Sequence, residues 1–166
     1  MTEGFTLKMN KVYLLLGSNL ANPQKQLRIA TELLSGLGVI EDQSSIYLTA
    51  AWGNPHQPDF LNQVIVIKSG LNATELLKRI LDIEHAMGRI RSNKNAPRKI
   101  DIDILFFNED IIEQNDLIVP HPALPFRRFA LEPLNELTPR LFHPTLKKTV
   151  EELLSECTDR LNVKRI

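Results

Sequence analysis

Apolar positions along this chain recur with two periods, and the switches between them mark its elements. Residues 12–16 form a short unbroken apolar run, the pattern of a buried strand, closed by Gly17-Ser18-Asn19. Asn22-Pro23 supplies a helix N-cap followed by proline at the first helical position. Leu27, Ala30, Leu33, Leu34 and Leu37 then recur at helical spacing, up to a stop at 36–38. Residues 39–47 predict a second strand and 53–59 a turn-rich loop. Residues 60–67 predict a third strand, with Val64 and Val66 opposed to Ile65 and Ile67. Asn72 and Glu75 form a capping-box pattern before a helix that buries Leu76, Leu77, Ile80, Ile83 and Met87 and stops at Gly88. A fourth strand follows over 100–107, and Asn108-Glu109 predicts a hairpin returning through Ile111 and Ile112. Downstream, Pro120, Pro122 and Pro125 hold an irregular segment. A helical pattern over 129–137 is interrupted by Pro133, and Val150, Leu153 and Leu154 predict a last helix.

The order β-α-β-β-α-β predicts an α+β fold of ferredoxin-like type: an antiparallel sheet with helices on one face, plus C-terminal additions. Residues 1–10 read as a polar, mobile extension and 11–166 as a single catalytic domain, since 166 residues suit one core. Lys+Arg and Asp+Glu balance at 20 each, so no global field recruits nucleic acid. Cys157 is the only cysteine, which excludes an internal disulfide and suits a reducing compartment. No apolar stretch approaches the roughly 20 residues that span a bilayer, and the first residues lack a signal peptide's apolar core. A cytoplasmic monomer with no membrane partner is expected.

Chemistry concentrates at Asp101-Ile102-Asp103. Alternation puts both carboxylates on one face of a strand and Ile100, Ile102 and Ile104 on the other. Adjacent carboxylates on a half-buried strand need a positive partner, and Mg²⁺ takes one or two carboxylates together with substrate phosphates. Arg89, Arg91, Lys94, Arg98 and Lys99 lie just upstream. A carboxylate pair beside a cationic segment is the chemistry of phosphoryl-type transfer; the plainer alternative is a solvated edge-strand pair beside a basic loop. No P-loop or GxGxxG occurs, so a nucleotide would be held by side chains and metal. The same element order also hosts RNA-binding modules and regulatory domains that bind small molecules without turnover. The aromatic run of an RNA-binding sheet is absent, and a regulatory domain leaves the paired carboxylates unexplained.

Several motifs in order carry a family resemblance: Leu-Gly-Ser-Asn-Leu (16–20), Gln-Pro-Asp-Phe-Leu-Asn (57–62), Gly-Arg-Ile-Arg (88–91), Pro-Arg-Lys-Ile-Asp-Ile-Asp-Ile (97–104) and Val-Pro-His-Pro (119–122). From about Val12 to Pro139 the chain resembles 6-hydroxymethyl-7,8-dihydropterin pyrophosphokinase, an ATP-dependent enzyme of folate biosynthesis. The resemblance implies that ATP is the co-substrate and that Asp101 and Asp103 bind two Mg²⁺ ions. It implies that Arg89 and Arg98 grip the phosphates and close over them. His121, Arg127 and Ile104 match nucleotide-contacting positions. Phe60 and Phe129 match the pair that stacks the pterin, Asn62 the side chain that reads its edge, and Thr49 and Trp52 the bordering loop. The chain departs from the pattern at Asn95-Ala96-Pro97, where many members carry a tryptophan, and at Asp116 and Ile118, near the nucleotide.

Overall fold

The computed structural model describes residues 7–51, 56–89 and 96–166. Most of the expected extension, residues 1–6, lies outside them, as do Trp52, Arg91 and Lys94. Asn10 already belongs to the first strand and is buried, its amide donating to Leu71 O at 2.9 Å.

Five strands follow one another across the main sheet in the order β10 (Val163–Arg165), β3 (Tyr47–Thr49), β4 (Phe60–Ser69), β1 (Asn10–Ser18), β5 (Asp101–Phe107), and a sixth, β2 (Val39–Gln43), also pairs with β4; every pairing is antiparallel. The central strands are β1 and β4, flanked by β5 on one side. On the other side lie β2 and β3, with β10 outermost. Helix α1 (Pro23–Leu34) starts at Asn22, whose side chain accepts the Lys25 N–H, with Pro23 in its first turn. Helix α2 (Ala73–Ala86) starts at the complete Asn72/Glu75 capping box. It ends before Gly88, which stands at φ 85°, a conformation a side chain resists.

Strand alternation divides the apolar residues between two cores. Val12, Leu14, Leu16, Ile65, Ile67, Ile102 and Ile104 face α1 and α2. Tyr13, Leu15, Val64, Val66, Leu105 and Phe106 form the second core with α3 (Arg128–Leu137) and α4 (Val150–Glu156). The expected arrangement of helices on one face therefore holds for α1 and α2 only; the C-terminal additions cover part of the other.

Three local expectations are corrected. The strand foreseen over 39–47 is two strands, because Ser44 breaks the ladder: its hydroxyl accepts the Val64 N–H at 2.9 Å and its carbonyl takes the Gln63 amide. No hairpin forms from β5 at Asn108-Glu109. Asn108 instead stands at φ 50° and turns its side chain to the Lys11 N–H and to Asn10. β6 (Ile112–Glu113) pairs with β7 (Ile118–Val119), and a second small hairpin joins β8 (Phe142–His143) to β9 (Lys148–Thr149). Helix α3 runs through Pro133.

Candidate active site

The second face of the sheet is covered by α3 and α4 over part of its area, and where they end a cavity of about 750 Å³ opens. Register explains what lines it. Gly17 of β1 stands between Asn62 of β4 and Asp101 of β5, and Leu15 stands opposite Asp103. Asn62, Gly17 and Asp101 thus form one row across three strands, with Phe60 and Thr49 paired just beyond. The Asn62 amide donates to Thr49 Oγ1 at 2.8 Å. A β-carbon on Gly17 would lie 2.8 Å from Asn62 Oδ1, so any side chain there would displace the Asn62 amide. Phe129 enters from the first turn of α3 and Arg127 from the residue before it.

Every residue that the family resemblance assigns to the site lines this one cavity except Trp52, which is outside the described residues: Thr49, Phe60, Asn62, Arg89, Arg98, Asp101, Asp103, Ile104, His121, Arg127 and Phe129. Of the other basic residues upstream of Asp101, Lys99 is not among those that line it. Ile104 is there on different terms. Its side chain belongs to the apolar core beneath α1 and α2, and it follows Asp103 on the edge strand β5. The β6–β7 turn, Asn115 to Ile118, lines the cavity together with Leu77 and Leu81 of α2. The departures at Asp116 and Ile118 therefore border it.

Asp101 is held by both arginines: Arg98 Nη1 reaches Oδ2 at 2.9 Å and Arg89 Nη1 pairs with Oδ1. Burial alone would lower the Arg89 pKa, but the Asp101 and Glu84 carboxylates outweigh it and raise the value further. The guanidinium of Arg98 also lies over the Phe60 ring, 5.5 Å from its centroid, and that of Arg127 lies 5.7 Å from the Phe129 centroid. Asp103 is the strained charge. Burial, then repulsion from Asp101, pushes its pKa up to about 7, against a partial pull from Arg127. His121 is pushed the other way, to about 4, by burial and then by Arg127. Its Nδ1 accepts the Ala123 N–H at 3.1 Å, so the neutral ring carries its proton on Nε2.

Among the described residues no three His, Cys, Asp or Glu side chains gather as a metal cage. The protein's offer is a carboxylate pair whose negative charge is poorly compensated at Asp103. That fits a hard divalent cation whose shell is completed by phosphate and water oxygens.

The sequence profile of the 7,8-dihydro-6-hydroxymethylpterin-pyrophosphokinase family matches residues 13–139. The chain belongs to that family. It is 40% identical over 150 residues to the 2-amino-4-hydroxy-6-hydroxymethyldihydropteridine pyrophosphokinase of Aquifex aeolicus (strain VF5), covering 90% of this chain and 94% of the relative. To the Bacillus subtilis (strain 168) protein of the same name it is 42% identical over 130 residues, 77% of this chain and 78% of that one. Its fold is similar to the crystal structure of Plasmodium falciparum HPPK-DHPS, with a TM-score of 0.74 at 18% identity, over 92% of this chain and 46% of that longer one.

Two residues that support this pterin pyrophosphokinase site were given no role by the reading of the sequence. Glu84 of α2 is 3% exposed; its carboxylate accepts the Ile102 N–H at 2.9 Å and meets Arg89 at 3.2 Å. Its signal was a charge four residues after Ile80, on the helix's buried stripe. Asn19 joins three segments: it exchanges two hydrogen bonds with the Arg98 backbone, at 3.1 and 2.9 Å, while its amide reaches Gln57 and Pro58. A polar residue after a strand carries no sign of partners so distant in sequence.

Proposed function

We propose that this pyrophosphokinase transfers the terminal pyrophosphate of ATP to the hydroxymethyl oxygen of 6-hydroxymethyl-7,8-dihydropterin in the cavity described above, releasing AMP. One observation carries the reading: a carboxylate pair, three arginines, a neutral histidine and an aromatic–amide pocket all line a single cavity. Each matches one part of the reaction.

The pterin is a flat bicycle with a hydrogen-bonding edge. Phe60 and Phe129 offer faces to stack it, and Asn62, held by Thr49, offers an amide with both donor and acceptor capacity. Trp52 is assigned to the same pocket on the resemblance alone. The triphosphate lies beside it. Arg89 and Arg98, which both pair with Asp101, turn to phosphate oxygens, which their planar forks match bidentately. His121 donates its Nε2 proton to a phosphate oxygen, and Arg127 stabilises charge on the leaving group. The adenine end meets Ile104 and the apolar residues Leu77, Leu81 and Leu117, which line the same cavity.

Asp101 and Asp103 would hold two Mg²⁺ ions, which would supply positive charge to offset the triphosphate and to acidify the attacking hydroxyl. The hydroxymethyl oxygen attacks the β-phosphorus, the bond from that phosphorus to the α–β bridging oxygen breaks, and AMP leaves with the oxygen. The chain's part is to align attacking oxygen, phosphorus and leaving oxygen and to neutralise charge, as in other phosphoryl transfers. We also read the sheet as ferredoxin-like, because β1 lies between the third and fourth strands of the β-α-β-β-α-β unit. Residues 11–166 act as one catalytic domain and as a cytoplasmic monomer.

The test is isosteric removal of one charge at a time. Asp101→Asn and Asp103→Asn should each lower turnover by about 10³ or more while the far-ultraviolet circular dichroism stays unchanged. Normal Mg²⁺-dependent turnover in either variant would sink the metal assignment.

A further inference from the structure

Helix α3 brings Arg127 and Phe129 to the cavity, and the residue between them, Arg128, does not line it. The helix has no side-chain cap of its own, since Arg127 at the N-cap position makes none. The cap comes from far downstream: Arg128 N–H donates to Asp159 Oδ2 at 3.0 Å. The other carboxylate oxygen takes the Leu161 N–H at 3.1 Å, so Asp159 is fixed from both sides. A carboxylate there satisfies a first-turn donor and complements the helix dipole. The Arg128 guanidinium repeats the connection, with Nε to Asp159 O at 3.0 Å and Nη2 to Cys157 O at 3.2 Å. Its Nη1 meets Glu132, one turn along, at 3.4 Å. Three acceptors around one rigid fork set an orientation as well as a distance.

The segment being gripped is itself anchored. The Cys157 side chain is buried in the second core where α4 ends. Past Leu161 the chain enters β10, whose Val163 pairs with Thr49, another cavity residue. We infer that Arg128, with Asp159, is a positioning residue that fixes the start of α3 and so the reach of Arg127 and Phe129 into the cavity. Segment 157–161, beyond the stretch 13–139 that matches the family profile, is thereby part of what holds the site in shape. The inference rests on the proposed roles of Arg127 and Phe129, and its test separates the two.

The experiment is a pair of double-mutant cycles on the full chain, with thermal unfolding used to choose a temperature at which every variant is folded. Arg128→Ala should raise the KM for pterin roughly tenfold, because small misplacements of positioning groups are costly. Asp159→Ala should act in the same direction but less, since it leaves the contacts to the two backbone carbonyls. Arg128→Lys keeps the charge without the fork and should resemble Arg128→Ala. In a Phe129→Ala background Arg128→Ala should add little to the pterin KM, and in an Arg127→Ala background little to the nucleotide KM. Full additivity in both cycles, or unchanged kinetic constants in folded Arg128→Ala and Asp159→Ala, would overturn the brace. If Arg128→Ala does not fold, Asp159→Ala carries the same cycles. Phe129→Ala and Arg127→Ala both leaving the ligand constants unchanged would remove the site assignment, and the brace with it.

Discussion

At the scale of single residues, the cavity keeps two titratable groups out of their ordinary ranges in opposite senses. Asp103, raised to about 7 by burial and by Asp101, holds a proton in the native state that the unfolded chain has lost. Its contribution to stability is therefore full below about pH 4 and is lost as pH rises toward 7. His121, lowered to about 4 by burial and by Arg127, refuses a proton that the unfolded chain accepts below about 6.5. Its contribution is lost as pH falls from 6.5 toward 4. The two trends oppose each other between pH 4 and 6.5, so a bulk stability curve conceals both. Residue-specific NMR separates them. In the metal-free protein the His121 ring protons should not titrate between pH 5.5 and 8, while the Asp103 carboxyl carbon should titrate near 7. A His121 midpoint near 6.5 would contradict the buried, neutral donor assigned to it. The Asp pair was legible because strand alternation alone puts positions 101 and 103 on one face. The value at Asp103 was not legible, because it depends on cover brought by distant residues.

At the scale of elements, the site is a row of strand positions with Gly17 between Asn62 and Asp101. Asn62 keeps its orientation because nothing projects from Gly17 and because Thr49 takes its amide proton. Gly17→Ala should push the Asn62 side chain aside and break that hydrogen bond, weakening pterin binding by about 1–2 kcal/mol. β1 has no other reason to change, so the melting temperature should fall only slightly. Calorimetry showing unchanged pterin affinity in a folded Gly17→Ala protein would mean that Asn62 does not read the pterin edge. Helix starts were legible because their signals are local: Asn22-Pro23 and the Asn72/Glu75 box both stand where expected. Pairing partners were not. Ser44 splits a strand by a side-chain hydrogen bond to Val64, and Asn108 abandons a hairpin for contacts with Asn10 and Lys11. Neither partner is visible from the local pattern. The strand β10 likewise owes its place to β3, far from it in sequence.

At the scale of the molecule, one sheet serves two purposes. Helices α1 and α2 close one face with an apolar core, and α3 with α4 covers only part of the other. The uncovered part is where paired carboxylates, arginines and aromatic rings meet. A chain with balanced charge thus carries a concentrated local field. No helix among the described residues is long and apolar enough to cross a membrane. The proposed reaction moves two phosphates at once from the triphosphate to a pterin bound beside it. The most direct measurement is product analysis: incubate the protein with ATP, Mg²⁺ and 6-hydroxymethyl-7,8-dihydropterin, and resolve nucleotides and pterins by chromatography. AMP and a pterin bearing two phosphates should appear in equal amounts, with no accumulation of ADP. ADP with a singly phosphorylated pterin would contradict the account, because it would place the attack on the γ-phosphorus.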